Sequence, residues 1–220
     1  MTARKIFLVL LTAGVVGTAA WLVFFSPVLG VRNVEIVGNV TLAPEVIRKA
    51  AAVPELHPLA TVDLAHVEGR VRGIRQVASA KVDRVWPATL RIEVVEREPV
   101  AQIQAGGKIA VIDKTGVVIE LRDVAPPMLP VLEVARPAAR DPATMAALDV
   151  VRGLPAGLSG RVRKVSATTG EDVTLGLSDG RTVIWGGPDR PEAKARILQS
   201  LLKREAEVYD VSSPDVVTLK

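Results

Sequence analysis

The 220-residue chain has no cysteine, two histidines and seven aromatic residues (three Trp, one Tyr, three Phe). Each scarcity removes a class of function. Without cysteine there are no disulfides, thiolate metal sites or thiol nucleophiles. Two histidines without the H-E-x-x-H spacing leave no zinc site. His57 stands in a loop beside Pro58, and His66 falls on a helix, so both read as surface residues. No serine occupies a G-x-S-x-G elbow, and no G-x-x-x-x-G-K run cradles phosphate. Asp63 and Glu68 are not three or four residues apart, so they do not form a carboxylate pair on one helical face. Catalysis, metal binding and cofactor binding are therefore not expected. Nucleic-acid binding is not expected either. Of the 28 Lys and Arg residues two precede Ile6, leaving 26 against 24 acidic residues, interspersed and without a basic run.

One long hydrophobic run is present. Ile6 to Phe25 is twenty residues without a charge. As a helix it is about 30 Å long, the hydrocarbon thickness of a bilayer. Arg4 and Lys5 precede it, which by the positive-inside rule places the N-terminus in the cytoplasm, with residues 1–5 as a short cytoplasmic tail and residues 31 onward outside. A signal peptide would have a shorter apolar core followed by small residues. This run instead ends in Trp21, Phe24 and Phe25, side chains suited to a membrane interface, so an uncleaved single-pass anchor is expected.

Beyond the anchor, Val31–Val37 alternates as a half-buried strand ending at Gly38–Asn39. Thr41 reads as the cap of a short helix with Pro44 and Glu45 in its first turn. A second helix is expected from Val62 to Ile74, with Leu64, Val67, Val71 and Ile74 on one face. Strands follow at Ala80–Val85 and Leu90–Glu96; in the latter Leu90, Ile92 and Val94 alternate with Arg91 and Glu93. The block 31–98 is thus β-α-α-β-β, two helices over a three-stranded sheet. From 99 to 220 a mostly antiparallel β domain is expected, with two covering helices. A hairpin turns at Lys114–Gly116, and a helix runs from Pro142 to Arg152 with Met145, Leu148 and Val151 on one side. Strands are expected at Arg161–Ala167, Asp172–Leu177 and Thr182–Trp185, with a turn at Leu158–Gly160. Gly186–Gly187 could bind an anion at a helix start, but Asp189, with Glu192 three residues on, reads as that helix's capping box. The fold class is α+β. Last come Glu207–Val211 and Val216–Leu219. A strand at a chain terminus often forms a sheet edge, whose unpaired main chain can accept a partner's strand.

The stretches Val31–Asn39 (VRNVEIVGN), Val82–Ala101 (VDRVWPATLRIEVVEREPVA) and Ala110–Val118 (AVIDKTGVV), then Leu177–Trp185, the Glu192–Leu202 helix and Tyr209–Asp210–Val211, resemble the FtsQ/DivIB family of bacterial cell-division proteins. The resemblance spans nearly the whole chain, and W-P-x-T-L-x-I-x-V-x-E-R-x-P-V-A is its most specific piece. It implies a POTRA domain followed by a β domain in a single-pass protein of the cytoplasmic membrane, located at the division septum. It implies no enzyme and no cofactor, but a divisome scaffold that binds FtsB-like and FtsL-like bitopic partners and through them reaches FtsW- and FtsI-like septal synthases. It further implies that Tyr209, Asp210, Val211, Val216, Val217, Thr218 and Leu219 form the partner-binding surface, by strand addition. Ser212 departs from the basic residue many relatives carry there. The alternatives are a POTRA-type chaperone of envelope protein assembly and an anchored envelope enzyme; neither a following barrel pattern nor a catalytic constellation accompanies them.

Overall fold

The computed structural model describes residues 3–214 and 216–219, the last four as main chain. Helix α1 runs Ala3–Phe25. Its side chains are exposed along nearly its whole length, Ile6, Trp21, Phe24 and Phe25 among them. The segment Arg4–Phe25 is long and apolar enough to cross a membrane. The hydroxyls of Thr12 and Thr18 donate to the carbonyls of Leu8 and Gly14, one turn back, so neither is left unsatisfied. The first two residues of the expected cytoplasmic tail lie outside the described residues. The chain divides into two units between Arg97 and Glu98.

In the first unit, β1 (Asn33–Val37), β3 (Thr89–Glu96) and β2 (Val77–Val85) lie in the order β1-β3-β2. β3 is central, parallel to β1 and antiparallel to β2. Helices α2 (Pro44–Ala51) and α3 (Leu64–Arg72) bury Ile47, Ala51, Val67 and Val71 against Val82, Leu90, Ile92 and Val94. Each such Val, Leu or Ile side chain is worth about 1.5–3 kcal/mol for leaving water. Gly38 ends β1 at φ +87°, and a Cβ there would collide with the carbonyl of Val94. Only glycine admits so close a backbone approach at that dihedral.

Several local expectations need correction. Thr41 does not cap α2. The N-cap is Ala43, without a side-chain bond, and Pro44 opens the helix. Thr41 is instead taken by Glu96, whose carboxylate accepts from the amides of Val40, Thr41 and Leu42 and from the Thr41 hydroxyl. The second helix begins at Leu64, not Val62, because Asp63 caps it by accepting from the His66 amide at 3.0 Å. Leu59–Thr61 is a separate 3₁₀ turn, held by Arg84, which donates to the carbonyls of Leu59 and Val62 at 2.7 and 2.6 Å. β2 starts three residues before the expected Ala80, since buried Val77 extends its inward face.

Glu96 gives this unit an acid-sensitive link. Burial raises its pKa, but the Thr41 hydroxyl and the amides of Leu42, Val40 and Thr41 outweigh that and hold it at about 2, below its ordinary 4.5. A carboxylate depressed by folding adds stability above its unfolded pKa and loses it as pH falls through the folded one. The thermal midpoint of the first unit should therefore fall from about pH 4.5 toward pH 2. Glu96→Gln should flatten that fall while lowering the midpoint at neutral pH; an unchanged pH profile would contradict the assignment.

The second unit is a nine-stranded sheet, in the order β12-β11-β10-β9-β8-β7-β4-β5-β6. The strands are β4 (Pro99–Ala105), β5 (Lys108–Asp113), β6 (Val118–Arg122), β7 (Val131–Val134), β8 (Val162–Ala167), β9 (Val173–Leu177), β10 (Thr182–Gly186), β11 (Val208–Ser213) and β12 (Val216–Leu219). Five neighbouring pairs are antiparallel, and three are parallel: β4–β7, β7–β8 and β10–β11. β4 was not resolved as a strand in the sequence. Its buried Gln102 donates to the carbonyls of Leu129 and Pro126, tying the proline-rich connector to the sheet. Helix α4 (Pro142–Gly153) and the short helix α5 (Ala156–Ser159), which replaces the turn expected at Leu158–Gly160, contribute Ala146, Ala147, Leu148, Val150 and Leu158 to the core. The buried side of α4 is wider than Met145, Leu148 and Val151: Met145 and Val151 are half-buried, while Ala143, Ala146, Ala147 and Val150 are buried beside Leu148.

Helix α6 (Pro191–Leu201) carries the largest local correction. Asp189 is not its cap; Arg190 occupies that position in left-handed backbone, and its side chain makes no capping bond to the helix. The fully buried Lys194 reaches back to Asp189 Oδ1 and the Gly187 carbonyl, both at 2.9 Å. A buried ammonium needs such partners, and this demand outcompetes the cap. The inward face is Lys194, Ala195 and Leu198; of the residues its sequence would place inward (Ala193, Ile197, Leu198, Leu201 and Leu202), Leu198 is fully buried and the other four are half-buried.

Candidate functional site

The C-terminal end of the sheet is built from alternation. Along β10, Val183 and Trp185 point into the core, and Thr182 and Ile184 to the other face. Along β11, Tyr209 and Val211 are buried, and Asp210 alternates with them. β10 and β11 run parallel, with Val183 beside Tyr209, and α6 makes the crossover. Gly186 lets the strands close up. Its φ is +75°, and a Cβ would lie 2.9 Å from that of Ser212.

Tyr209 is the keystone of this corner. Its hydroxyl donates to the Arg204 carbonyl at 2.7 Å and accepts from Arg181 Nη1 at 2.9 Å. The Arg181 guanidinium stands 5.4 Å from the Tyr209 ring centroid and pairs with Asp179, which also takes Arg161. The hydrogen bonds from Arg181, joined by that from Arg161, hold the Asp179 carboxyl far below the usual carboxylate range. The bonds with Asp179, then Tyr209, raise the pKa of Arg181. Sequence reasoning missed Asp179, Arg181 and Arg204. The available signal was a lone tyrosine on a strand near two arginines, weak without knowledge of the parallel pairing.

β12 pairs antiparallel with β11, with Tyr209 opposite Leu219, Asp210 opposite Thr218 and Ser213 opposite Val216. It is the last strand of the sheet and has β11 as its one neighbour among the described residues. Of the seven residues expected to meet a partner, the structure separates two groups. Tyr209 and Val211 turn their side chains into the core, and Tyr209 and Asp210 are matched on both flanks, by β10 and β12. They support the edge rather than form it. Val216, Val217, Thr218 and Leu219 form the edge strand itself, and their side chains lie outside the described residues. At the Ser212 departure, the serine amide and hydroxyl both donate to Asp210 Oδ1, at 3.0 and 2.7 Å. This is a local turn bond that occupies Asp210 Oδ1.

Elsewhere the geometry offers little chemistry. Among the described residues no group of three or more His, Asp or Glu could hold a metal ion. His66 is exposed, and the His57 ring lies 3.2 Å from the Thr61 hydroxyl.

Comparison with known families places both units. The profile described as "POTRA domain, FtsQ-type" matches residues 29–97, and that of "Cell division protein FtsQ/DivIB, C-terminal" matches residues 101–217. The chain belongs to the FtsQ/DivIB family. Relatives named "Cell division protein FtsQ" include one from Mycolicibacterium smegmatis, 42% identical over 90% of this chain and 60% of its own length. Another, from Mycobacteroides abscessus, is 38% identical over 99% of this chain and 70% of its own length. A third, from Streptomyces venezuelae, is 37% identical over 93% and 80%. The chain therefore spans about three-fifths of the M. smegmatis FtsQ. The major extracytoplasmic domain of the trans isomer of DivIB from Geobacillus stearothermophilus superposes with a TM-score of 0.36 at 18% identity, over 50% of this chain and 98% of that one. That superposition is too loose to carry residue correspondences. Membership of FtsQ/DivIB makes this a cell-division protein with a POTRA unit and a β-rich unit.

Proposed function

We propose that the chain is a non-enzymatic scaffold of the bacterial divisome. α1 anchors it in the cytoplasmic membrane as a single span, with Arg4 and Lys5 on the cytoplasmic side and both folded units outside. It recruits FtsB-like and FtsL-like bitopic proteins, and through them septal peptidoglycan synthesis at the division site. The capture step is strand addition at β12. The observation that supports this reading is that β12 ends the nine-stranded order and has one strand neighbour. Among the described residues no strand pairs with its other flank, which leaves N–H and C=O groups that an extended segment can bond.

Adjacent residues of a strand direct their main-chain groups to opposite sides. One of Val217→Pro and Thr218→Pro must therefore delete an outward donor, and the other a donor toward β11. The outward variant should weaken capture of an FtsB-like segment by about 1–3 kcal/mol, roughly five- to 150-fold in Kd. Binding by titration calorimetry with the reconstituted chain measures it. Unchanged affinity in both variants would exclude this edge as the site.

A further inference from the structure

We propose that Val28, Leu56 and Arg32 form a lipid-interface contact through which the first unit rests on the outer leaflet of the bilayer. This rests on the reading that α1 spans that bilayer. Two apolar side chains stand exposed where the chain leaves α1: Val28 at 58% and Leu56 at 50%. Leu56 is distant in sequence but tied to the exit. Its amide donates to the Val31 carbonyl at 2.9 Å, and the Val31 amide donates to the His57 carbonyl at 2.9 Å. Gly30 bridges to Pro58, and a Cβ at Gly30 would come within 2.7 Å of the Leu56 Cα. The loop is thus clamped against the exit segment by a contact only glycine allows.

Leu56 is held at φ +59°. Left-handed backbone costs a bulky side chain energy that Gly or Asn would avoid. An exposed leucine at such a dihedral gains nothing in water from either its exposure or its backbone. A lipid surface supplies the missing gain.

The distances agree. Pro27–Leu29 is a 3₁₀ turn, rising about 2 Å per residue, so Val28 lies roughly 6 Å along the chain from Phe25. The polar region on each side of the hydrocarbon is about 5–7 Å thick, and interfacial side chains bury about 5–10 Å into the boundary. Arg32 is exposed, and its guanidinium donates to the Val28 carbonyl at 3.4 Å, placing a cation at headgroup depth. The formal charges of Arg32 and of Glu55, next to Leu56 in the chain, cancel, so the contact does not depend on anionic lipid, and Trp21, Phe24 and Phe25 extend the same belt into the helix.

The absence of native cysteine makes the test direct. Single variants Val28→Cys, Leu56→Cys, Phe25→Cys and Val40→Cys of the full chain carry a nitroxide in phosphatidylcholine nanodiscs. Accessibility to oxygen and to a nickel chelate gives each label's depth. Val40 lies beyond the far end of β1, some 17 Å of strand from the exit, and is the aqueous reference. The labels at 28 and 56 should be several-fold less accessible to the chelate than the label at 40, and close to the label at 25. A lipid-embedded label at 25 with a label at 56 as accessible as that at 40 would overturn this contact alone. An aqueous label at 25 would overturn the span and the contact together. Leu56→Asn suits the left-handed backbone, so it should preserve or raise the thermal midpoint. It should also move the label at 28 toward water, and failure to do so in a folded variant would again overturn the contact.

Discussion

Ile92→Asp is expected to unfold the first unit. Ile92 sits on the central strand, opposite Ile36 of β1 on one side and Val82 of β2 on the other, with no exposed surface. Losing the buried isoleucine costs about 2–5 kcal/mol, by analogy with large-to-small core changes. Leaving a carboxylate there without a partner costs several more, even after it takes up a proton. A unit of this size has about 3–10 kcal/mol of stability in total, so the two losses together exceed what is available. Hydrogen exchange reads the outcome by unit. Amides of β2 and β3 should lose protection, while those of β8 to β10 keep theirs. Glu93→Ala, one residue on and facing solvent, should leave both patterns intact. A protected β3 in Ile92→Asp would refute the inward assignment of Leu90, Ile92 and Val94.

That assignment was legible because alternation at period two is a local signal, and β3 carries it cleanly. The long apolar helix was legible for a similar reason: length and apolarity need no tertiary context. What the residues did not reveal was competition between distant groups. Thr41 and Asp189 both have the chemistry of a helix cap, and both are used otherwise. Thr41 meets Glu96, 55 residues away, and Asp189 meets a lysine that the core has enclosed. A cap is worth about 1 kcal/mol, less than leaving a buried ammonium unpaired, so the larger demand prevails. β4 was obscured because Ala101, Ile103 and Ala105 alternate with Gln102 and Gln104 over a short stretch with only one large apolar side chain on that face, a weak signal, and because Gln102 is buried by the connector rather than by the core. The candidate edge was legible as a terminal strand. Its division into an edge (β12) and a support (β11) was not, because the parallel pairing with β10 is set by the α6 crossover and leaves no mark on β11 itself.

Tyr209→Ala should cost the second unit about 3–5 kcal/mol, the range for emptying a large aromatic site. Trp185 and Tyr209 are among the largest fully buried side chains of this unit, and Tyr209 also closes the corner through Arg181 and Arg204. Tyr209→Phe keeps the ring and removes only the hydroxyl. It should cost about 1–3 kcal/mol, because Arg181 and the Arg204 carbonyl each lose a buried partner. Denaturant melts read both values, and equal losses would mean that the hydroxyl network, not the packed ring, carries the corner. The comparison also decides how to interpret a binding defect. β12 is held by β11, and β11 is seated by Tyr209 and Val211, so Tyr209→Ala can abolish partner capture without Tyr209 ever touching the partner. If so, capture by Tyr209→Ala should return when the fold is restored, by lower temperature or a stabilising osmolyte, whereas the outward proline variant in β12 should stay deficient at every temperature at which it is folded. Persistent loss in a fully folded Tyr209→Ala protein would instead make the tyrosine a direct contact, which its complete burial argues against.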